Sequence, residues 1–140
     1  MSQQRTVVHL LRHGEVDNPT KVLYGRLPGY HLSELGREMA ERVADHLANN
    51  DVRVVISSPL ERAQATAAPV AARHGLGVDI DDRLIEANTV FEGLRVGIGD
   101  GILREPRYWR HLWNPFRPSW GEPYIDISRR MRQAVNAAVA

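Results

Sequence analysis

Short apolar runs alternate with longer segments of helical periodicity between residues 7 and 80, and few folds accept that order. Val7-Val8-His9-Leu10-Leu11 reads as a buried strand, with His9 as a packed core residue, feeding the polar cluster Arg12-His13-Gly14-Glu15. Residues 18–31 hold Pro19, Gly25, Pro28 and Gly29 and predict irregular chain. Ser33 then offers an N-cap, and the spacing of Leu35, Met39, Val43 and Leu47 predicts a helix with that apolar face, ended by Asn49-Asn50-Asp51. Arg53-Val54-Val55-Ile56 is a second strand. Ser58 as N-cap, Pro59 at the first helical position and Glu61 closing a capping box predict a helix from there to about His74, bent at Pro69 and stopped by Gly75. Leu76-Gly77-Val78-Asp79-Ile80 gives a third strand. Strands separated by helices predict an α/β domain: three layers, α/β/α, around a mostly parallel sheet.

Beyond Glu86 the periodicity weakens. Residues 97–123 are rich in glycine, proline and aromatics, and such a long irregular segment reads as a functional cover or as disordered chain. A final amphipathic helix is predicted from Ile125 to Ala140, with Ile127, Met131, Val135 and Ala138 on one side. The stretch from Arg104 to Trp120 interleaves Arg104, Arg107, Arg110 and Arg117 with Tyr108, Trp109, Trp113, Phe116 and Trp120. Arginines among aromatics suit single-stranded nucleic acid, but the formal net charge of +1 supplies no wider basic footprint, so nucleic acid is not the expected partner. A lid over a site and plain packing are the two readings left.

The 140 residues suffice for one domain. The absence of cysteine removes disulfides and thiolate chemistry. No apolar run approaches the roughly 20 residues of a membrane span, and Met1 to Thr6 do not form a leader, so a cytoplasmic protein without a membrane partner is expected. Lys21 is the only lysine among many arginines and alanines, a usage typical of GC-rich bacterial coding sequences.

In a parallel α/β sheet, ligands bind beyond the carboxyl ends of the strands. Arg12-His13-Gly14-Glu15 and Ser57 to Arg62 fall at two such ends, and Glu86 follows the third strand. One imidazole, two arginines and a carboxyl group on one edge suit phosphoryl transfer. The imidazole can attack phosphorus, the guanidinium groups can grip the phosphate oxygens, and the carboxylic acid can protonate the leaving alkoxide. None of these steps requires a metal or a cofactor. Glu15 is expected to be structural.

Leu11-Arg12-His13-Gly14-Glu15 resembles the RHG motif of the histidine phosphatase (phosphoglycerate mutase-like) superfamily. Ser57-Ser58-Pro59-Leu60-Glu61-Arg62-Ala63 with Thr66-Ala67 resembles its second motif. Tyr24-Gly25-Arg26, Leu32-Ser33-Glu34-Leu35-Gly36, Leu84-Ile85-Glu86 with Phe91-Glu92-Gly93, and Gly121-Glu122-Pro123 are similar to further segments in the family's order. The resemblance implies a phosphoglycerate mutase-like fold with His13 as nucleophile, Glu86 as proton donor, and Arg12, Arg62 and Asn18 as phosphate contacts. It implies a small phosphomonoester as substrate, hydrolysed through phosphohistidine; mutase-type transfer or a non-catalytic domain that binds a phospho-ligand or a protein are the alternatives. Phosphatase is preferred because the segment from Glu86 to Ala140 is short for a mutase. A homo-oligomer is compatible with all of these.

The family's second pocket histidine, on a Ser-His-Gly-like turn after a further strand, has no counterpart among His9, His31, His46, His74 or His111. Residues 1–140 are therefore expected to be a single but incomplete domain, truncated at the C-terminus before the last strand. By itself such a chain is expected to be weakly stable, prone to associate and a poor catalyst.

Overall fold

The computed structural model describes residues 5–95, 104–111 and 120–140. Helix α1 (Glu34–Leu47) is followed by β1 (Ile56–Ser57), α2 (Glu61–Arg73) and β2 (Asp79–Ile80). A 3-10 turn (Asp82–Leu84), a short helix α3 (Pro106–Trp109) and the long α4 (Tyr124–Val139) complete the order. The strands pair in parallel, Ile56 opposite Asp79 and Ser57 opposite Ile80. A parallel pair joined through a helix is the expected α/β unit. The ladder is shorter than the apolar runs 53–56 and 76–80 implied.

Ser33 caps α1 as its side chain requires: Oγ accepts the Gly36 amide at 3.0 Å and donates to Glu15 Oε2 at 2.6 Å. The Ser33 amide also donates to the Glu15 carbonyl at 3.0 Å, which gives Glu15 the structural role expected of it. The buried face of α1 differs from the one read from the large apolar residues. Gly36, Ala40, Ala44 and Leu47 are buried, while Leu35 and Met39 are exposed. Small residues four apart let the α1 backbone lie close against α2, and the bulky residues fall outside that contact. Ala44, Leu47 and Val70 form the core, with Val43 and Val55 packed against it.

Helix α2 begins at Glu61, later than Ser58 and Pro59 suggested, because Ser58 Oγ accepts only the Leu60 amide, at 3.4 Å, and so closes a turn ahead of the helix. Pro69 sits inside α2 without ending it.

Residues 7–11 form no strand. Val7 and Leu10 are 68% and 71% exposed, and His9 is exposed as well, contrary to the expected buried strand. An apolar run becomes a strand only when a neighbour offers its backbone, and none of the described residues pairs with this one. Much of the segment 97–123, including Trp113, Phe116 and Arg117, lies outside the described residues.

Two glycines let the loop after His13 cross the start of α1. A Cβ on Gly14 would collide with the Gly36 carbonyl, and one on Gly36 with the Glu15 carbonyl. Backbone lies on both sides of the crossing, so neither clash has a flexible side chain to yield. Gly36→Ala is expected to lower unfolding stability in urea by roughly 1–3 kcal/mol. An unchanged midpoint would show that the crossing tolerates a methyl group.

Candidate active site

Three elements meet around Arg62. The first is the loop at His13. Its Nδ1 lies 2.8 Å from the Gly14 carbonyl oxygen, which can only accept, so Nδ1 is the donor, and in the neutral ring the lone pair falls on Nε2. The Gly14 amide donates to Thr66 Oγ1 at 3.1 Å, and Thr66 donates in turn to the Arg62 carbonyl at 2.8 Å. The first turns of α2 thereby fix both the His13 loop and the Arg62 backbone.

Arg62 is only 1% exposed. Its Nη2 donates to the Gly25 carbonyl and lies 3.7 Å from Glu86 Oε2. Its guanidinium carbon stands 4.7 Å over the Tyr24 ring, whose centroid is 6.4 Å from that of His13. Arg62 Nε has no hydrogen-bond partner among the described residues. A buried guanidinium donor left unpaired is costly unless a ligand anion completes it.

Glu86 brings its carboxylate to Arg62 while remaining 45% exposed, so solvent reaches it. Arg26 holds this segment from below: its Nε donates to the Glu86 carbonyl at 2.7 Å, and its Nη2 to Glu122 Oε2 at 3.3 Å. The Arg26 amide donates to Glu92 Oε1. Glu92 also lies where a Cβ on Gly25 would stand, and Gly25 has φ +40°, so this tight corner suits glycine.

Arg62 and Glu86 are thus brought together, and His13 is connected to Arg62 through the Tyr24 ring and through Thr66. Arg12 is exposed and has no hydrogen bond or ion pair among the described residues. Asn18 spends its amide locally: Nδ2 donates to the Val22 carbonyl at 2.8 Å, and Oδ1 accepts the Val22 amide at 3.1 Å. Those two bonds close a turn in which Lys21 takes φ +53°. Tyr24, Arg26, Glu92 and Glu122 belonged to motifs in the sequence but had been given no role there. Their signal is a contact between distant segments, which linear spacing does not carry.

Glu122 also accepts from Arg130, Nε to Oε1 at 2.8 Å and Nη2 to Oε2 at 2.9 Å. These Arg130 bonds, with Arg130 and Arg26 charge and the Asn88 contact adding, hold the Glu122 carboxyl below its usual range. A lowered carboxyl pKa contributes stability above the unfolded value and loses it as pH falls through the folded one, so this pairing holds at neutral pH. No group of three or more histidine or acidic side chains among the described residues is arranged to hold a metal ion. No helix among them is long and apolar enough to cross a membrane.

The fold and these residues place the chain in a known class. A family model for the histidine phosphatase superfamily (branch 1) matches residues 8–140, and the chain belongs to that superfamily. An uncharacterized protein of Mycobacterium tuberculosis (strain ATCC 25618 / H37Rv) is 61% identical over 135 residues, covering 96% of this chain and 67% of that protein. The glucosyl-3-phosphoglycerate phosphatase of the same species (strain CDC 1551 / Oshkosh) is 35% identical over 136 residues, 94% of this chain and 59% of that one. Among solved structures, a mycobacterial glucosyl-3-phosphoglycerate phosphatase in complex with VO3 superposes with a TM-score of 0.74 at 32% identity, over 91% of this chain and 61% of that one. A putative alpha-ribazole-5'-P phosphatase from Escherichia coli superposes with a TM-score of 0.72 at 28% identity, over 90% and 63%. The chain spans 59–67% of the length of these proteins.

Proposed function

We propose that this chain carries the phosphate-binding and nucleophilic half of a phosphomonoester hydrolase that works through phosphohistidine without a metal. The observation that supports it is the buried Arg62 guanidinium, with Nε unpaired among the described residues, over a Tyr24 ring that neighbours an imidazole whose Nδ1 is the donor to Gly14. In the first step His13 Nε2 attacks phosphorus; the P–N bond forms as the P–O bond to the alkoxide breaks, and Glu86 gives its proton to that oxygen. In the second step Glu86 takes a proton from water, whose oxygen displaces the imidazole and releases inorganic phosphate. Arg62 neutralises the oxygens from within the fold, and Arg12, on the exposed rim, closes on them from outside. Asn18, with its amide committed to Val22, serves by shaping the loop and not by direct phosphate contact.

The glucosyl-3-phosphoglycerate phosphatases among the relatives are named for a phosphorylated compound, and a small phosphomonoester is the substrate class we assign. Neither nucleic acid nor membrane takes part in this reading, a cytoplasmic location fits it, and a homo-oligomer is compatible with it. On this reading the 140 residues carry part of the domain, as they span 59–63% of the phosphatases they match.

The test is hydrolysis of p-nitrophenyl phosphate and of an alkyl phosphate, both with a chelator present. Slow turnover that survives the chelator is expected. Glu86→Gln should lose about 10²-fold or more on the alkyl ester and much less on the aryl ester, whose leaving group needs no proton. Binding of vanadate without any turnover would put a phospho-ligand-binding domain in place of the enzyme.

A further inference from the structure

We propose that Glu122 is a positioning residue for Glu86, an inference that rests on the reading of Glu86 as the proton donor. Two arginines from distant parts of the chain converge on its carboxylate, Arg26 from the loop before α1 and Arg130 from α4. Each places another N–H on the backbone of the segment that bears Glu86. Arg26 Nε donates to the Glu86 carbonyl at 2.7 Å, and Arg130 Nη1 donates to the Arg83 carbonyl at 2.5 Å. Residues 83–86 are therefore gripped at both ends by guanidinium groups that share one acceptor.

The Glu122 backbone is tied to the same region. Its amide donates to the Asn88 carbonyl at 3.1 Å, the Val90 amide donates to the Trp120 carbonyl at 2.8 Å, and Thr89 bridges Gly121. Arg26 follows Gly25, whose carbonyl accepts from Arg62, so the network also borders the phosphate clamp. The arrangement is partly solvated: the side chains of Glu122 and Arg130 are 19% and 16% exposed. The charges thus avoid the full desolvation cost of a buried triad, and the planar guanidinium groups supply direction. The Glu86 side chain is half exposed, and its ion-pair partner Arg62 lies 3.7 Å away. Its distance from a phosphoryl group on His13 is set by its backbone, and Glu122 sets that backbone.

Loss of the Glu122 charge should remove proton donation more than it removes binding. In the 140-residue chain, Glu122→Gln is expected to lower kcat for an alkyl phosphate by about tenfold or more, with KM within about twofold and a smaller loss for p-nitrophenyl phosphate. Glu122→Asp, which keeps the charge, should recover part of the loss. Combined with Glu86→Gln, Glu122→Gln should add almost nothing, because both act through one proton. Amide hydrogen exchange at Leu84 and Ile85 should accelerate in Glu122→Gln while that of α1 stays as it was. Equal losses on both esters, or full additivity with Glu86→Gln, would reduce Glu122 to a structural tie and overturn the proposal. Should the unaltered chain turn over neither ester, the enzymatic reading fails; exchange then decides the positioning alone, and unchanged rates at Leu84 and Ile85 would overturn it.

Discussion

Arg62→Met is expected to leave the melting temperature unchanged or raised while lowering phosphomonoester hydrolysis about 10²–10³-fold, equivalent to roughly 3–4 kcal/mol of transition-state stabilisation. The two effects separate because of how Arg62 is buried. Its guanidinium is fully enclosed, yet its Nε is unpaired and its ionic partner Glu86 is half exposed at 3.7 Å. Removing one member of a buried pair is normally expensive because the other charge is stranded, but Glu86 can return to water. Methionine fills much of the volume and keeps a favourable contact with the Tyr24 ring, which Arg62 now covers at 4.7 Å. Thermal unfolding and vanadate affinity measured on the same variant check this. A large fall in melting temperature with hydrolysis intact would show that Arg62 is a structural residue.

His13→Ala is expected to abolish hydrolysis, by roughly 10³-fold or more, with little change in stability. The ring is only partly buried, and the hydrogen bond it makes is to the carbonyl of its own neighbour Gly14, so its removal opens no cavity and strands no distant group. The variant should still bind vanadate through Arg62, more weakly because the imidazole no longer meets the anion. Residual turnover equal to that of the parent chain would move the nucleophile elsewhere.

The parts of this architecture that were legible in the sequence are those written in local chemistry. Ser33 marks the start of α1 because its hydroxyl meets an amide three residues away, and the α4 boundaries followed from helical spacing. The motifs that hold His13, Arg62 and Glu86 could be read at and beyond the ends of apolar runs, and in the fold Arg62 pairs with Glu86 and covers the Tyr24 ring that neighbours His13. Where partners lie far apart in the chain, the pattern was silent or misleading. Leu35 and Met39 have the spacing of a core face, but the contact of α1 with α2 selects the small residues Gly36, Ala40 and Ala44. Val7 to Leu11 have strand composition, yet composition supplies no neighbouring backbone. The Arg26–Glu122–Arg130 network joins residues about a hundred positions apart, beyond any periodicity.

The reaction path through His13 is tested most directly by trapping the intermediate. The chain would be mixed with a phosphomonoester, quenched in alkali within the first turnovers, and its intact mass and peptides measured by mass spectrometry. The expected result is one added phosphoryl group on the peptide containing His13, stable in base, lost in acid and absent from His13→Ala. Hydrolysis that proceeds with no trapped phosphoryl group, or with one on a peptide lacking His13, would contradict it.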